Sequence, residues 1–368
     1  MSVELADSYE SIYQRAIRQM SSGESEEAIE SLMRIINRLG RLRPETLQRK
    51  SNLQQTLSAA WNALIQFLRW EEQYDQAIDT TRDVLDRLPD PDVGRRRIAS
   101  LRIEKGEVDG GLASLRKMAD ENPSFDAWAD LGAEYRALAR YQEADTCYQS
   151  ALRLAGSNSE ATLANIALFG LYQDAGNVDA ALSAWNMAIV LNPELSDQVV
   201  QVYAWLIRRG DLDQAQKYLE RDRQPVRRTF YEGLLEWQAG NEQAAQGKWR
   251  DVIKMDVEAN DTDLEAWMEA ALRLDEPAEA DSLAFEQSAN GQLLSVNAIT
   301  LRGIAKLMMD DVEEAEKQFQ DATDRLRRAW PSRRQISAEQ WALLTSLYAE
   351  RETLRRLAGY FNTGEPGT

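Results

Sequence analysis

Trp128-Ala129-Asp130-Leu131-Gly132-Ala133-Glu134-Tyr135, followed by Ala144, Tyr148 and Ala151, is the stretch whose reading decides how this chain folds. Trp128, Leu131, Gly132 and Tyr135 stand at i, i+3, i+4 and i+7 and so share one face of a helix. Ala144, Tyr148 and Ala151, spaced four then three apart, share one face of a second helix, with the turn read at Ala139 to Gln142. Glycine at 132 and alanine at 144 remove bulk where the two helices must approach, and Trp128, Tyr135 and Tyr148 fill the space around that contact. A reduced form of the pattern returns about every 34 residues along most of the chain, a period that means stacked helical hairpins. Such an array grows by addition, needs no central core, and carries function on a surface.

Two further copies are well preserved. Residues 162–195 keep Leu168, Tyr172, Gly176, Ala181, Trp185, Ala188 and Pro193, and residues 58–91 keep Trp61, Leu64, Ala77, Val84 and Pro89. Weaker copies follow in register: 9–42 with Ala16, Gly23, Ala28 and Leu32; 92–124 with Ile98, Ala99, Gly106, Leu115 and Pro123; 196–229 with Gly210, Ala215 and Leu219. Residues 226–259 supply Gly233, Gly240, Ala245 and Trp249, and 296–329 supply Gly303, Ala315, Phe319 and Ala322. Residues 262–295 are degenerate, with Trp267, Pro277 and Ala280 as their landmarks. The spacing departs from the period at 42–57 and near 156–161, where insertions between hairpins are expected.

The order Trp, Leu, Gly, Tyr, Ala, Tyr, Ala in the best copy resembles the tetratricopeptide repeat (TPR) family, with Gly156 where proline is usual. The resemblance implies an all-α fold, a right-handed superhelical α-solenoid of TPR-like helical hairpins. A generic helical-pair solenoid of the HEAT or Sel1 kind is the remaining alternative. The expected organisation is one continuous solenoid: repeats over 1–158, a more acidic set over 159–329, a capping helix within 330–361 and a loose tail at 362–368. Trp330-Pro331 breaks the last repeat helix. Ser337 to Tyr360 then reads as one amphipathic helix carrying Trp341, Leu344, Leu347, Tyr348, Leu354 and Leu357, the natural cover for an exposed solenoid end.

Composition removes most catalytic readings. The 368 residues contain no histidine and one cysteine, Cys147, so Cys/His metal sites, Ser-His-Asp triads and Cys-His pairs cannot be assembled. A hydrophobic fraction of 43% with ten tryptophans and only nine prolines fits a folded, helix-rich chain. Neither a leader peptide in MSVELADSYESIYQRAIRQM nor an apolar run long enough to span a bilayer is read, and the expected compartment is cytoplasmic. Asp256-x-Glu258-x-Asn260 starts like a calcium loop, but Asp261 replaces the turn glycine and Trp267 the bidentate acid. Gly110-Gly111 lacks the lysine of a phosphate loop. No catalytic residue, metal or cofactor is therefore expected.

The net charge of −18 is uneven: residues 1–125 hold 18 basic against 21 acidic side chains, and the remainder 25 against 40. Residues 251–290 carry twelve carboxylates and only Lys254 and Arg273 as bases, a field that repels phosphate backbones and suits basic partners. Nucleic acid is therefore disfavoured as a partner.

In the TPR family the first helix of each repeat lines a concave groove that holds an extended peptide or a partner helix. Carrying the family's groove positions onto this sequence gives Tyr13, Gln66, Arg69, Trp70, Arg96, Arg136, Arg208, Arg227, Phe230 and Trp237 as candidate partner contacts. Arginine and aromatic residues dominate, as at interaction hot spots. Arg95, Arg96 and Arg97 point to different sides of a helix, so at most two can contribute. A Lys/Asn clamp for a C-terminal carboxylate is not supported, because Asn62 is isolated and Gln66, Ser100, Ala133 and Gly170 stand where asparagine would be needed. The expected function is that of a non-catalytic adaptor binding a peptide segment or helix of another protein. Self-assembly into a homo-oligomer is one alternative. A peptide-gated regulator, distantly similar to TPR pheromone receptors but without a DNA-reading motif, is another.

Overall fold

A computed structural model describes residues 2–22, 25–257, 261–329 and 335–363. Among them the chain is helical throughout and has no strand, only an isolated bridge between Ile336 and Phe361. It divides into two compact units, Met1–Pro193 and Glu194–Thr368. That division falls near the end of the copy at 162–195, one hairpin later than the expected 158/159 boundary between repeat sets.

The first unit contains α1 (Ser2–Ser22) paired with α2 (Ser25–Leu39), a short α3 (Pro44–Gln48), then α4 (Ser51–Trp70) with α5 (Tyr74–Val84). The pairs α6 (Pro91–Lys105) with α7 (Val108–Glu121), α8 (Phe125–Ala137) with α9 (Tyr141–Leu154), and α10 (Asn158–Asp174) with α11 (Val178–Leu191) complete it. The second unit holds α12 (Val200–Arg209) with α13 (Leu212–Leu219), α14 (Pro225–Gln238) with α15 (Glu242–Val252), α16 (Asp261–Arg273) with α17 (Pro277–Ala289) and α18 (Val296–Met308) with α19 (Val312–Ala329). It closes with α20 (Ala338–Leu347) and α21 (Arg351–Leu357). Within each unit the first helix of each pair, A, packs on its own B helix, and most B helices pack on the next A. A helices also approach neighbouring A helices, whereas B helices do not approach one another as closely. In each unit the A helices therefore form the inner wall.

The hairpin turn has one recurrent chemistry. A left-handed residue ends the A helix at Glu72, Gly106, Ala139, Gly176, Gly210, Gly240, Asp275 and Asp310, close to once per repeat. The residue after it donates its N–H back to the A helix, as from Gln73 to the Leu68 carbonyl at 2.8 Å and from Arg140 to the Tyr135 carbonyl at 2.8 Å. This is the Schellman closure, which satisfies carbonyls that a helix end leaves bare. Serine oxygens start several A helices in turn: Ser124 accepts from the Ala127 N–H, Ser157 from Glu160 and Ser295 from Ala298.

Inside each hairpin the small-against-large contact read from the sequence is present. A methyl on Gly132 would lie 2.8 Å from the Tyr148 ring, one on Gly233 2.5 Å from Trp249, and one on Gly303 2.5 Å from Phe319. Ala144, Ala245 and Ala315 are fully buried on the facing helices. The degenerate stretch 262–295 forms an ordinary hairpin: Trp267 is buried, Pro277 opens α17, and Ala270, Ala271, Ala280 and Ala284 let the helices close.

Both expected insertions are largely absorbed by lengthened A helices. Residues 42–57 contribute α3 and the first turns of the 20-residue α4, and 156–161 begin the 17-residue α10. The segment read as one capping helix is two. Tyr348 is extended at φ −128°, ψ 127°, and the Glu350 carboxylate restarts the helix by accepting from the Thr353 N–H at 3.3 Å. The break lets α20 bury Leu343 and Leu344 while the following turn buries Leu357 and Phe361 against Phe319. Phe361, at the very end of the expected cap, is a core residue. The Ile336 N–H donates to the Tyr360 carbonyl and the Asn362 N–H to the Ile336 carbonyl, both at 2.8 Å, so the end of the chain is clipped to the start of α20. Gly23, Glu258, Asn260, Trp330, Pro331 and tail residues 364–368 lie outside the described residues.

Candidate functional site

In the first unit the inner wall is cross-linked by its own charges. The Arg69 guanidinium grips Glu104 with two hydrogen bonds, Nε to Oε2 at 2.9 Å and Nη2 to Oε1 at 2.5 Å, joining α4 to α6. Arg96 Nε donates to Asp130 at 2.7 Å, joining α6 to α8, and Arg136 Nε donates to Asp174 at 2.6 Å, joining α8 to α10. Each pair spans roughly one repeat in sequence, so equivalent turns of neighbouring A helices are riveted side by side. Glu134 hydrogen-bonds Ser100 in the same fashion. Burial pushes the Asp130 and Glu134 carboxyls up, with Arg96 opposing it at Asp130 and Ser100 at Glu134. Asp130 still shows 49% of its side chain to solvent, and a group that meets water yet is crowded enough to lose hydration sits on a concave wall. Arg97 stands between Arg69 and the carboxylates of Asp130, Glu104 and Glu134, and burial followed by Arg69 pulls its guanidinium down from its usual value.

This arrangement changes the reading of several candidates. Arg96, at 8% exposure, is buried under its ion pair and is part of the wall. Arg69 and Arg136 are half-buried and committed to neighbouring carboxylates. Gln66 is exposed and accepts from Arg69 at 3.1 Å, Trp70 is half-buried with its ring edge-on to Phe67 at 5.0 Å, and Tyr13 packs on the first unit's core. The sequence does contain the signal for this ladder: an arginine on one A helix and an acid about one repeat later on the next. Reading each repeat alone hides it.

The second unit has a buried polar knot. The Arg227 guanidinium donates to both Asp222 oxygens, at 2.6 and 2.8 Å, and further to the Asp197 carbonyl and Thr262 hydroxyl, each at 3.1 Å. The Tyr203 hydroxyl donates to the same carboxylate at 2.5 Å. At Asp222 burial would raise the pKa, but the hydrogen bonds from Arg227 and Tyr203 outweigh it and hold the carboxyl below its ordinary range; burial and Asp222 together push the Tyr203 phenol far up. All three are structural. Arg227 is 5% and Phe230 2% exposed, so neither can meet a partner, contrary to their place among the groove candidates. Helical spacing put both on an A helix and left open which side faces the next hairpin.

Arg208 and Trp237 are exposed on the inner wall of this unit. They line a cleft of about 550 Å³ with Ala204 and Ile207 of α12, Tyr231 and Leu234 of α14, and Glu269 and Arg273 of α16. Ala338, Glu339, Gln340, Ala342, Leu343 and Ser346 of α20 close its far side. Trp237 lays one face toward Trp249, ring centres 5.8 Å apart, and remains 42% exposed. The closing helix thus also forms a wall of the cleft, which its amphipathic pattern gave no means of foreseeing.

Cys147 is buried, and desolvation pushes its thiol up to about 11, far from a reactive thiolate. Among the described residues no group of three or more Cys, Asp or Glu side chains is placed to hold a metal ion, and no helix is long and apolar enough to cross a membrane. Several carboxylates of the acidic stretch are engaged within the chain: Asp281 with Arg302 and Lys306 at 2.8 and 2.6 Å, and Glu269 with Arg273 at 2.7 Å.

No family model matches the sequence, and no curated protein matches it. Among solved structures, a tetratricopeptide repeat protein from Parabacteroides merdae aligns over 78% of this chain and 98% of its own at 18% identity and a TM-score of 0.40. The C-terminal part of a TPR repeat-containing protein from Cytophaga hutchinsonii aligns over 71% and 99% at 12% identity and 0.37, and Pseudomonas aeruginosa PilF over 56% and 92% at 16% and 0.32. Likenesses this distant bear on neither partner nor activity. The TPR-like character of the chain stands on its own hairpins: the small-against-aromatic contact, the left-handed turn and the A-to-A packing at a period of one repeat.

Proposed function

We propose that this protein is a non-catalytic interaction scaffold and that its partner docks on the inner wall of the second unit. One observation carries the reading: the cleft that exposes Trp237 among apolar side chains, with the exposed Arg208–Glu339 and the Arg273–Glu269 pairs along it. Exposed tryptophan and arginine in a concave, partly apolar site are what binding hot spots are made of. The first unit's inner wall offers less, since Arg69, Arg96 and Arg136 are held by Glu104, Asp130 and Asp174.

The test is affinity capture from extracts of the source cells with the full chain, compared with Trp237→Ala and Arg208→Ala. At least one captured protein should be lost from both variants while their circular dichroism stays that of the parent. Identical captures from all three would remove this wall from the reading. Arg96→Glu is unsuited to this purpose, since it places a carboxylate against Asp130 in the wall.

A second reading, self-association, is favoured by Met187 and Val190, which are 49% and 73% exposed one turn apart on α11. A strictly monomeric mass by light scattering at all concentrations would exclude it.

A further inference from the structure

The end of α2 and the inserted α3 carry a charge pattern unlike the rest of the chain. Residues 34–50 hold six bases, Arg34, Arg38, Arg41, Arg43, Arg49 and Lys50, against the single acid Glu45, in a chain with 43 basic and 61 acidic side chains. All six bases are exposed, and among the described residues none of them forms an ion pair or a side-chain hydrogen bond. Elsewhere in this unit exposed arginines find a carboxylate, as Arg82 does at Asp79 and Arg95 at Asp92. Short turns hold the patch in shape: the Lys50 N–H donates to the Leu47 carbonyl at 2.8 Å, and Arg87 Nε donates to the Leu42 carbonyl at 3.3 Å and brings a seventh base to it. Like charges gathered without partners repel one another, and an anionic partner turns that repulsion into attraction. Arginine in particular matches a carboxylate with its planar fork.

The surroundings of the patch limit what can reach it. Exposed acids border it, Glu26, Glu27 and Glu30 in the first half of α2, and Asp83 and Asp86 around the turn that packs on α3. A phosphate polymer or a flat anionic membrane would have to lie across that border, whereas a narrow acidic edge would not. The chain carries such an edge itself. In the second unit the turns of the adjacent hairpins α16–α17 and α18–α19 repeat one chemistry a repeat apart: Asp275, Glu276 and Glu279, then Asp310, Asp311 and Glu313. Glu276 is half-buried and the others are exposed, and among the described residues none of the six is in an ion pair. Neighbouring helices stand about 10 Å apart, which sets the spacing of the two turns. Arg34 and Arg41, seven residues apart along α2 and its closing turn, span about the same distance.

We propose that this chain associates with itself head to tail, the basic patch of one copy seating on the acidic turn edge of a second copy. The contact joins two different surfaces, so every copy in it keeps one further patch or edge to offer, and the association extends or closes into a ring. The net charge of −18 opposes chance meetings, but at physiological salt charges farther apart than about 8 Å are screened, and the local match decides. The contact is independent of the cleft at Trp237.

Light scattering on the purified full chain over a concentration series is the test. At about 0.05 M salt the mean mass should climb above the 41.8 kDa of the monomer as concentration rises. At about 0.5 M salt the association constant should be roughly tenfold lower or less. Arg38→Glu/Arg41→Glu/Arg43→Glu and, separately, Glu279→Lys/Glu313→Lys change exposed groups only, and each should give a monomer with the circular dichroism of the parent. Mixed together the two variants should associate again, because the first keeps an intact edge and the second an intact patch. If a variant does not fold, the salt series on the parent decides alone. A parent chain that is monomeric at low salt overturns the proposal, as does a mixture that stays monomeric. Association that survives high salt and both variants belongs to an apolar contact such as Met187 and Val190 and also overturns it. So does a chain that stays monomeric while binding a single-stranded oligonucleotide or anionic vesicles, which would assign the patch to phosphate.

Discussion

The two units are built from the same hairpin and hold themselves together differently. In the first, neighbouring A helices are tied by ion pairs set on the inner wall, Arg69 to Glu104, Arg96 to Asp130 and Arg136 to Asp174, with much of each acid still in water. In the second, the main polar tie is out of solvent: Arg227, Asp222 and Tyr203 form a closed network whose ion pair is 6% and 1% exposed. The difference teaches where a repeat array can keep a binding surface. Rivets on the inner wall stiffen it but use up its charged groups. A tie moved inside leaves the wall free for apolar and aromatic groups, and the second unit has its cleft there.

Breaking the buried tie should have the largest effect. Arg227→Ala strands the Asp222 carboxylate without its guanidinium and should cost about 3–5 kcal/mol, read as a lower urea midpoint for the second unit's transition. Crowding the hairpin contact comes next. Gly303→Ala forces a methyl toward Phe319 and Gly233→Ala one toward Trp249, each expected to cost about 1–3 kcal/mol in the same measurement. Removing an inner-wall rivet should matter least: with Arg136 and Asp174 at 32% and 41% side-chain exposure, Arg136→Ala should cost no more than about 1 kcal/mol, and less in high salt.

Acid should separate the units by sign. Asp222 is held below its ordinary range, so its contribution is complete above the unfolded carboxylate pKa, near 3.9, and is lost as pH falls through the lower folded value. Asp130 and Glu134 are raised, so their charged forms are penalised at neutral pH, and the penalty is relieved as pH falls through the raised values toward the ordinary ones. Between neutrality and the ordinary carboxylate range, hydrogen-exchange protection of α6 and α8, corrected for intrinsic rates, should hold or rise. Below that range protection of α12 and α14 should fall. Parallel loss in both units would contradict the contrast.

The architecture was legible because it is local. Gly132 against Tyr148 and the small residues facing Trp267 follow from spacing within one hairpin, and even the degenerate 262–295 keeps enough alanine to close. What spacing could not show is which way an A helix is rolled. Arg227 and Phe230 carry groove positions and turn into the core, Arg96 stays in the wall covered by its ion pair, and Arg208 and Trp237 at comparable positions turn out. Nor could an amphipathic pattern over Ser337 to Tyr360 reveal the break at Tyr348, because the break answers two separate patches, Leu343/Leu344 and Leu357/Phe361, that a straight helix cannot bury together.

The contrast between the walls can be put to one direct measurement. A photo-crosslinking amino acid is placed at position 237, on the second unit's inner wall, and separately at the exposed position 66 of the first, and each full-length chain is irradiated in an extract of the source cells. A discrete adduct of higher mass from position 237 and none from position 66 is the predicted result. Adducts from position 66 alone, or none from either, would contradict it.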